Sequence, residues 1–231
     1  MRDLLRNGPW VILFFISLAT LIYVAIRSAD IAYFFKYYLN KENGMGQFMA
    51  IGTVFVLLGV LPTKWLSKKM GKKKLYIICM LLITVSSMVF LFVGPGDMVL
   101  IYAAQIVFSI ASGPTMPLLW TMLADTADYS QWKNGRRATG LVYSAATFAQ
   151  KAGFGLGGVI VMGVLSMLGF VANQQQSPSS IMGIRLSMSV IPAAVALVGA
   201  ILLFFYKLDD KLVLQIEKEL GERNKQTSET N

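Results

Sequence analysis

Apolar and polar residues follow one another along this chain in blocks. Long apolar stretches at residues 10–37, 48–66, 75–93, 98–123, 139–169 and 184–206 are separated by short polar segments. A helix rising 1.5 Å per residue needs roughly 20 mostly apolar residues to cross about 30 Å of hydrocarbon. The pattern therefore predicts six transmembrane helices. A membrane β-barrel would alternate apolar and polar residues with period two, and LYIICMLLITVSSMVFLFV, residues 75–93, does not. The expected class is an all-α membrane protein. After the last span, residues 207–231 place Leu212, Ile216 and Leu220 at four-residue spacing behind Asp209 and Asp210. That spacing predicts a cytosolic amphipathic helix, followed by a polar, disordered end, RNKQTSETN.

Composition supports the membrane assignment. Of 231 residues, 55% are hydrophobic and 14% charged, with a mean hydropathy of +0.60. Soluble domains carry roughly 25% charged and about 45–50% apolar residues. A cytosolic enzyme, a disulfide-stapled secreted domain and a disordered tail are thereby excluded, and no catalytic residues are expected. Cys79 stands alone and histidine is absent, which removes an internal disulfide and a His/Cys metal cluster. The formal charge of +9 would suggest nucleic acid in a soluble protein, but its placement points to the bilayer instead. Arg2, Arg6, Lys64, Lys68, Lys69, the lysines at 72–74, Lys133, Arg136, Arg137 and the tail cations share one side; Lys36, Lys41 and Arg185 hold the other. The positive-inside bias predicts that the richer side, with both termini, is cytoplasmic. The apolar run near the N-terminus lacks the small-residue cleavage pattern of a signal peptide and is long enough to span.

Polar residues within the spans are the candidate functional groups. Lys151 lies roughly 18 Å along the helix from Thr139, near the bilayer midplane. A charge there costs about 2.5–3.5 kcal/mol on insertion scales, so Lys151 is expected to face a bundle interior or a wet cavity, or to be neutral. Either carbonyls at a kink satisfy it or it lines a hydrophilic pathway. Thr147 precedes it by a turn on the same face, and Gln150 is adjacent. Ala149, Gly153 and Gly157 repeat every fourth residue, with Gly155 and Gly158 nearby. Small residues so spaced allow close helix contact, as static packing or as a surface that slides. Arg27 and Asp30, three apart, share a face and can neutralise each other, as a structural ion pair or, with Tyr33, as part of a substrate or cation pathway; Tyr33, Lys36 and Tyr37 continue the stripe.

Gly113-Pro114-Thr115-Met116-Pro117 must bend the fourth span, as a tolerated kink or as a broken helix at a substrate site. The segment ADTADYSQWKNGRRATG, expected as a loop, begins with Asp125, Asp128 and Tyr129 and ends with Arg136 and Arg137. Acids at the end of one span and bases before the next are expected to pair and close that side. A retinal-type photoreceptor using Lys151 would need a carboxylate counter-ion, and Asp30, the one acid within the spans, lies far toward the other face.

Several of these segments resemble a known family. SKKMGKKK, residues 67–74, resembles the short basic loop of major-facilitator transporters. ADTADYSQWKNGRRATGLVYSAATFAQKAGFGLGG, residues 124–158, resembles the C-terminal half of the glycoside–pentoside–hexuronide:cation symporters, the group that contains melibiose permease. YFFKYYL, GIRL and the YKL-acidic tail are similar to that group as well. The resemblance covers nearly all of the chain. It implies that the six spans are the family's helices seven to twelve, two three-helix units related by an inverted repeat and forming one bundle of a major-facilitator fold. It implies that Lys151 lies beside the sugar and cation sites with Thr147 on the same face, and that Asp125, Asp128 and Arg137 belong to a cytoplasmic network closing the outward-facing state.

The implied activity is that of the C-terminal half of a symporter for a glycoside, pentoside or hexuronide, coupled to Na+ or H+ and working by alternating access. The partners would be the lipid bilayer and an N-terminal six-helix half, the location a bacterial plasma membrane, and no cofactor is implied. Arg2 to Pro9 reads as the end of a central loop. The family's principal sugar-binding and cation-coordinating acids lie in its N-terminal half, and this chain has no match to them. The alternatives are a stand-alone six-helix membrane protein that dimerises, or a non-functional transporter fragment.

Overall fold

The computed structural model describes residues 7–135 and 139–229. Asn7 opens the first helix, α1 (Gly8–Tyr33), its side chain accepting from the Trp10 N–H at 3.2 Å. This caps one of the N–H groups that a helix start leaves unpaired. A π-helical turn, Phe34–Tyr38, continues α1. There follow α2 (Gly44–Val60) and α3 (Thr63–Met70), bent 47° from one another around Pro62. Next come α4 (Lys72–Phe92), α5 (Met98–Ser112), α6 (Thr115–Asn134), α7 (Thr139–Met167), α8 (Pro178–Met188), α9 (Val190–Phe205) and α10 (Asp210–Glu229). Among the described residues, five stretches are long and apolar enough to cross a membrane, and six when the bent α2–α3 pair counts as one. Their outward faces carry large apolar side chains such as Phe92, Val99 and Phe204, as lipid contact requires.

Several boundaries depart from the hydropathy pattern. Asp125, Asp128 and Tyr129 lie on α6 instead of in a loop, because the helix continues beyond its apolar part until Gly135, whose φ of +68° ends it. Glycine adopts that left-handed conformation without the penalty a Cβ would add. The lysine run at 72–74 is the first turn of α4, which begins after Gly71 at φ +89°. The sixth span starts at Pro178 and breaks at Ser189. The last helix runs on to Glu229, past the start of the expected disordered end.

The packing has a hidden symmetry. The most extensive contacts are α1 with α7, α4 with α9, α1 with α9, α2 with α5, and α4 with α5. Exchanging the first three spans for the last three turns the α1–α7 contact into α5–α2 and α1–α9 into α5–α4, and returns α4–α9 to itself. This is the pairing that two inverted three-helix units produce. The close approaches obey the same exchange. On the fifth span, a Cβ at Gly153 would lie 2.6 Å from the Leu18 carbonyl oxygen, and one at Gly157 2.5 Å from Ala25 Cβ. On the second span, a Cβ at Gly52 would lie 2.5 Å from Gln105 Nε2, and one at Gly59 would collide with the Ile110 carbonyl. Glycine thins both equivalent crossings so that backbones touch.

The buried apolar side chains form two clusters. One, around Leu13, Tyr23, Tyr76, Met80 and Leu119, extends to Tyr206 and Val213 at the lysine-rich end. The other, around Ile26, Phe34, Phe35, Phe48 and Phe90, fills the opposite end. The polar groups of the candidate site lie at the seam between them.

Candidate functional site

Arg27 is buried at that seam, its guanidinium 4.3 Å from the Phe90 ring centroid and 4.2 Å from that of Phe108. Those rings belong to different clusters, so the cation bridges the two halves of the core. One Nη donates to Gln105 Oε1 on α5 at 2.6 Å, and the other to the Met188 carbonyl at 3.1 Å. Aromatic faces attract a cation, and a charge-assisted hydrogen bond is roughly twice as strong as a neutral one. Arg27 and Gln105 line a groove of about 370 Å³ with Ser28, Thr53, Ser109, Ser112 and Thr115 among its walls. Thr115, just past the Gly113–Pro114 break, bonds back to the Ser112 carbonyl at 2.7 Å and lies 3.5 Å from the Tyr23 hydroxyl.

The expected Arg27–Asp30 ion pair does not form. Helical spacing does put both on one face of α1, but the guanidinium reaches away from α1 to two acceptors on other helices. Asp30 is fully buried, and neither of its carboxyl oxygens has a hydrogen-bond partner. Tyr33, a turn further, donates its hydroxyl to Met162 Sδ at 3.6 Å and sets its ring edge-on to Phe170.

Lys151 does not lie inside this bundle. It is exposed on α7, as is Thr147, whose Oγ1 donates to the Tyr143 carbonyl at 2.9 Å. The cause is angular. Ala149 and Gly153 face α1, and a residue two positions from each stands about 200° around the helix. Gly155 and Gly158 share the open side, where a Cβ would meet nothing within 4 Å. Gln150 is half-buried, and its Nε2 has no hydrogen-bond partner.

At the lysine-rich end, Asp125 accepts from the Lys72 ammonium, and Asp210 Oδ2 accepts from the Lys72 main-chain N–H at 3.0 Å. Lysines in the first turn of α4 oppose its macrodipole; the two acids offset that. α4, α6 and α10 thereby meet on one residue. Lys73 Nζ donates to the Tyr206 carbonyl at 2.6 Å, and Trp132 Nε1 to Glu219 at 2.5 Å. Glu219 accepts from Trp132 and from Gln215, which lowers its carboxyl below the usual range. Tyr129 accepts from Lys133 Nζ at 3.3 Å and borders a cleft of about 390 Å³ with Asn7 and Asn134. Asp128 lies half-buried on the same helix. Arg136 and Arg137 lie outside the described residues. Lys72, Asp210 and the Trp132–Glu219 contact escape a sequence reading that takes the lysine run and the acidic segment as loops.

This chain spans about half the length of the curated relatives it matches. It is 34% identical over 231 residues to an isoprimeverose transporter of Lactiplantibacillus pentosus, an alignment covering 97% of this chain and 47% of the relative. It is 33% identical over 229 residues to a glucuronide carrier protein homolog of Escherichia coli (strain K12), covering 97% and 50%. It is 31% identical over 221 residues to the uncharacterized symporter YnaJ of Bacillus subtilis (strain 168), covering 95% and 47%. The family described as MFS/sugar transport protein matches residues 1–210. Helices that cross a membrane, an inverted three-plus-three packing and that match agree: the chain belongs to the MFS/sugar transport protein family.

Proposed function

We propose that this chain is the C-terminal half of a cation-coupled symporter for a small glycoside, pentoside or hexuronide. It works with an N-terminal six-helix bundle in a bacterial plasma membrane, both termini in the cytoplasm. The exposed, mid-depth Lys151 carries the reading. An ammonium facing lipid there is costly, whereas one facing a complementary bundle across a wet cavity is not. Thr147 and the open glycine face beside it leave room for such a cavity. The relatives' descriptions as transporter, carrier and symporter support the same assignment.

The mechanism is alternating access around a midplane site. Lys151 supplies positive charge and hydrogen bonds to the bound sugar, or to the coupling Na+ or H+. The groove over Arg27 and Gln105 widens the pathway on the other side of α1. The Lys72–Asp125–Asp210 cluster closes the cytoplasmic end, and solute and ion binding lower the cost of exchanging that closure for one on the opposite face. The chain performs no catalysis and holds no cofactor. The test is uptake by membranes containing this chain together with its N-terminal half. Lys151→Ala abolishes ion-driven accumulation while the protein remains in the membrane; undiminished uphill uptake by that variant overturns the assignment.

A further inference from the structure

Asp30 has a use that Arg27's geometry reveals. We propose that Asp30 is a proton-binding site, occupied in the conformation in which Arg27 is bonded to Gln105 and Met188. The proposal rests on the symport reading for its purpose, but on its own observations for its existence.

A carboxylate in an apolar interior needs hydrogen-bond donors or a contacting cation. Asp30 is fully exposed to neither water nor donors: it is 0% solvent-accessible and both of its oxygens lack a partner. The neighbouring cation has its two Nη groups on Gln105 and the Met188 carbonyl, and its Nε, itself without a partner, makes no bond to Asp30. No other cation stands ready. Among elements packed against α1, α8 offers Arg185, which donates to the Leu91 carbonyl and lies over the Tyr38 ring. α7 offers Lys151 and Tyr143, of which Lys151 is exposed on the side away from α1. The π-helical turn offers Lys36, engaged by Glu42 and Asn173. Its other titratable groups are the Tyr37 and Tyr38 hydroxyls. α6 brings Asp125, Asp128, Tyr129 and Lys133 in its later turns, toward the lysine-rich end, and α9 carries no ionisable side chain. A protonated acid is the form such surroundings tolerate.

The consequence is a two-position arginine. When Asp30 releases its proton to a water admitted past Arg27, which lines the groove, the carboxylate attracts the guanidinium three residues earlier on the same face. Arg27 then leaves Gln105 and the Met188 carbonyl, and the bond between the first and fourth spans breaks. Rebinding the proton restores it. Proton occupancy is thereby tied to the contact at the floor of the groove.

The test is infrared spectroscopy of the purified full chain in lipid nanodiscs, with Asp30→Asn and Gln105→Leu alongside. At pH 7 the wild type shows a protonated-carboxyl C=O band that Asp30→Asn lacks. Gln105→Leu, by freeing Arg27, lowers that band at least twofold at the same pH. Asp30→Asn, which keeps the neutral shape, melts at or above the wild-type Tm. A wild-type spectrum equal to that of Asp30→Asn overturns the site. So does a lower Tm for Asp30→Asn, which would mark Asp30 as the ionised counter-charge of Arg27. A band unmoved in Gln105→Leu overturns the two-position arginine. None of these readouts requires transport: a band without sugar uptake by this chain together with its N-terminal half sinks the symport reading alone, and uptake by that pair without the band sinks this site alone.

Discussion

Arg27 donates to the main-chain carbonyl of Met188 at 3.1 Å, and the residue four positions beyond Met188, whose N–H would close that carbonyl's helical bond, is Pro192. Proline has no N–H, so the carbonyl is free. A second arginine also bonds a main-chain carbonyl: Arg185 donates to that of Leu91, which is open because α4 ends at Phe92. Both arginines thus bond carbonyls that a helix interruption leaves open, the break before Pro192 for Arg27 and the end of α4 for Arg185.

The Arg27–Gln105 bond therefore contributes to stability directly. Replacing Gln105 by Leu leaves a buried guanidinium short of an acceptor, and a lost hydrogen bond to a charged group costs about 1.5–3 kcal/mol. In the double variant Arg27→Met, Gln105→Leu the cost falls below the sum of the single losses, because the second change removes the orphaned group. Denaturation in detergent micelles measures all four corners of the cycle. Strict additivity would show that the two side chains do not support each other.

Much of the fold is legible in hydropathy, because a span must be apolar over a length set by the bilayer, whatever its neighbours are. The positions of 10–37, 75–93 and 139–169 are readable for that reason. Polar sites are less legible, because partners far apart in sequence decide them. The three-residue spacing of Arg27 and Asp30 places them on one face, yet Pro192 and Gln105 draw the guanidinium elsewhere. Lys151 is readable as special from its depth, but its direction is fixed by which face Ala149, Gly153 and Gly157 give to α1. The charges of residues 124–134 suggest a loop, although a helix can leave the hydrocarbon without ending; Gly135 marks the true end.

The glycines of α7 fall into two groups with opposite expected responses. Gly157→Ala puts a methyl 2.5 Å from Ala25 Cβ and 2.9 Å from the Ile22 carbonyl oxygen, overpacking that costs about 1–3 kcal/mol. Gly155→Ala and Gly158→Ala enter open space and gain about 0.5–1 kcal/mol by stiffening the unfolded chain. Thermal melts of the three single variants separate the groups. A Gly157→Ala protein as stable as wild type would mean that α1 and α7 part easily.

Lys72 and Asp125 are largely sheltered, with side chains 23% and 11% exposed. Removing one partner strands the other, at a cost between that of a surface pair and that of a fully buried one, about 1–3 kcal/mol. Asp125→Leu is expected to lose that much. The exchange Lys72→Asp with Asp125→Lys regains most of it, since it restores the pair and places the acid at the start of α4, where the macrodipole favours it. Melting temperatures of the single and exchanged variants decide the matter. An exchanged protein no better than Asp125→Leu would refute the pairing.

The docking of α10 depends on pH through Glu219. Hydrogen bonds from Trp132 and then Gln215 lower its carboxyl in the folded chain. A group lowered by folding binds fewer protons folded than unfolded, so its contribution is present above the ordinary glutamate value of about 4.3 and is lost as pH falls through the lowered one. Acidification across that window is expected to release Glu219 from Trp132 and to speed amide exchange along α10, after correction for the intrinsic rate. Glu219→Gln keeps an acceptor for Trp132 but has no proton to gain, so its α10 protection stays flat over the same window. Equal acid sensitivity in the two proteins would place the pH response of α10 on another group.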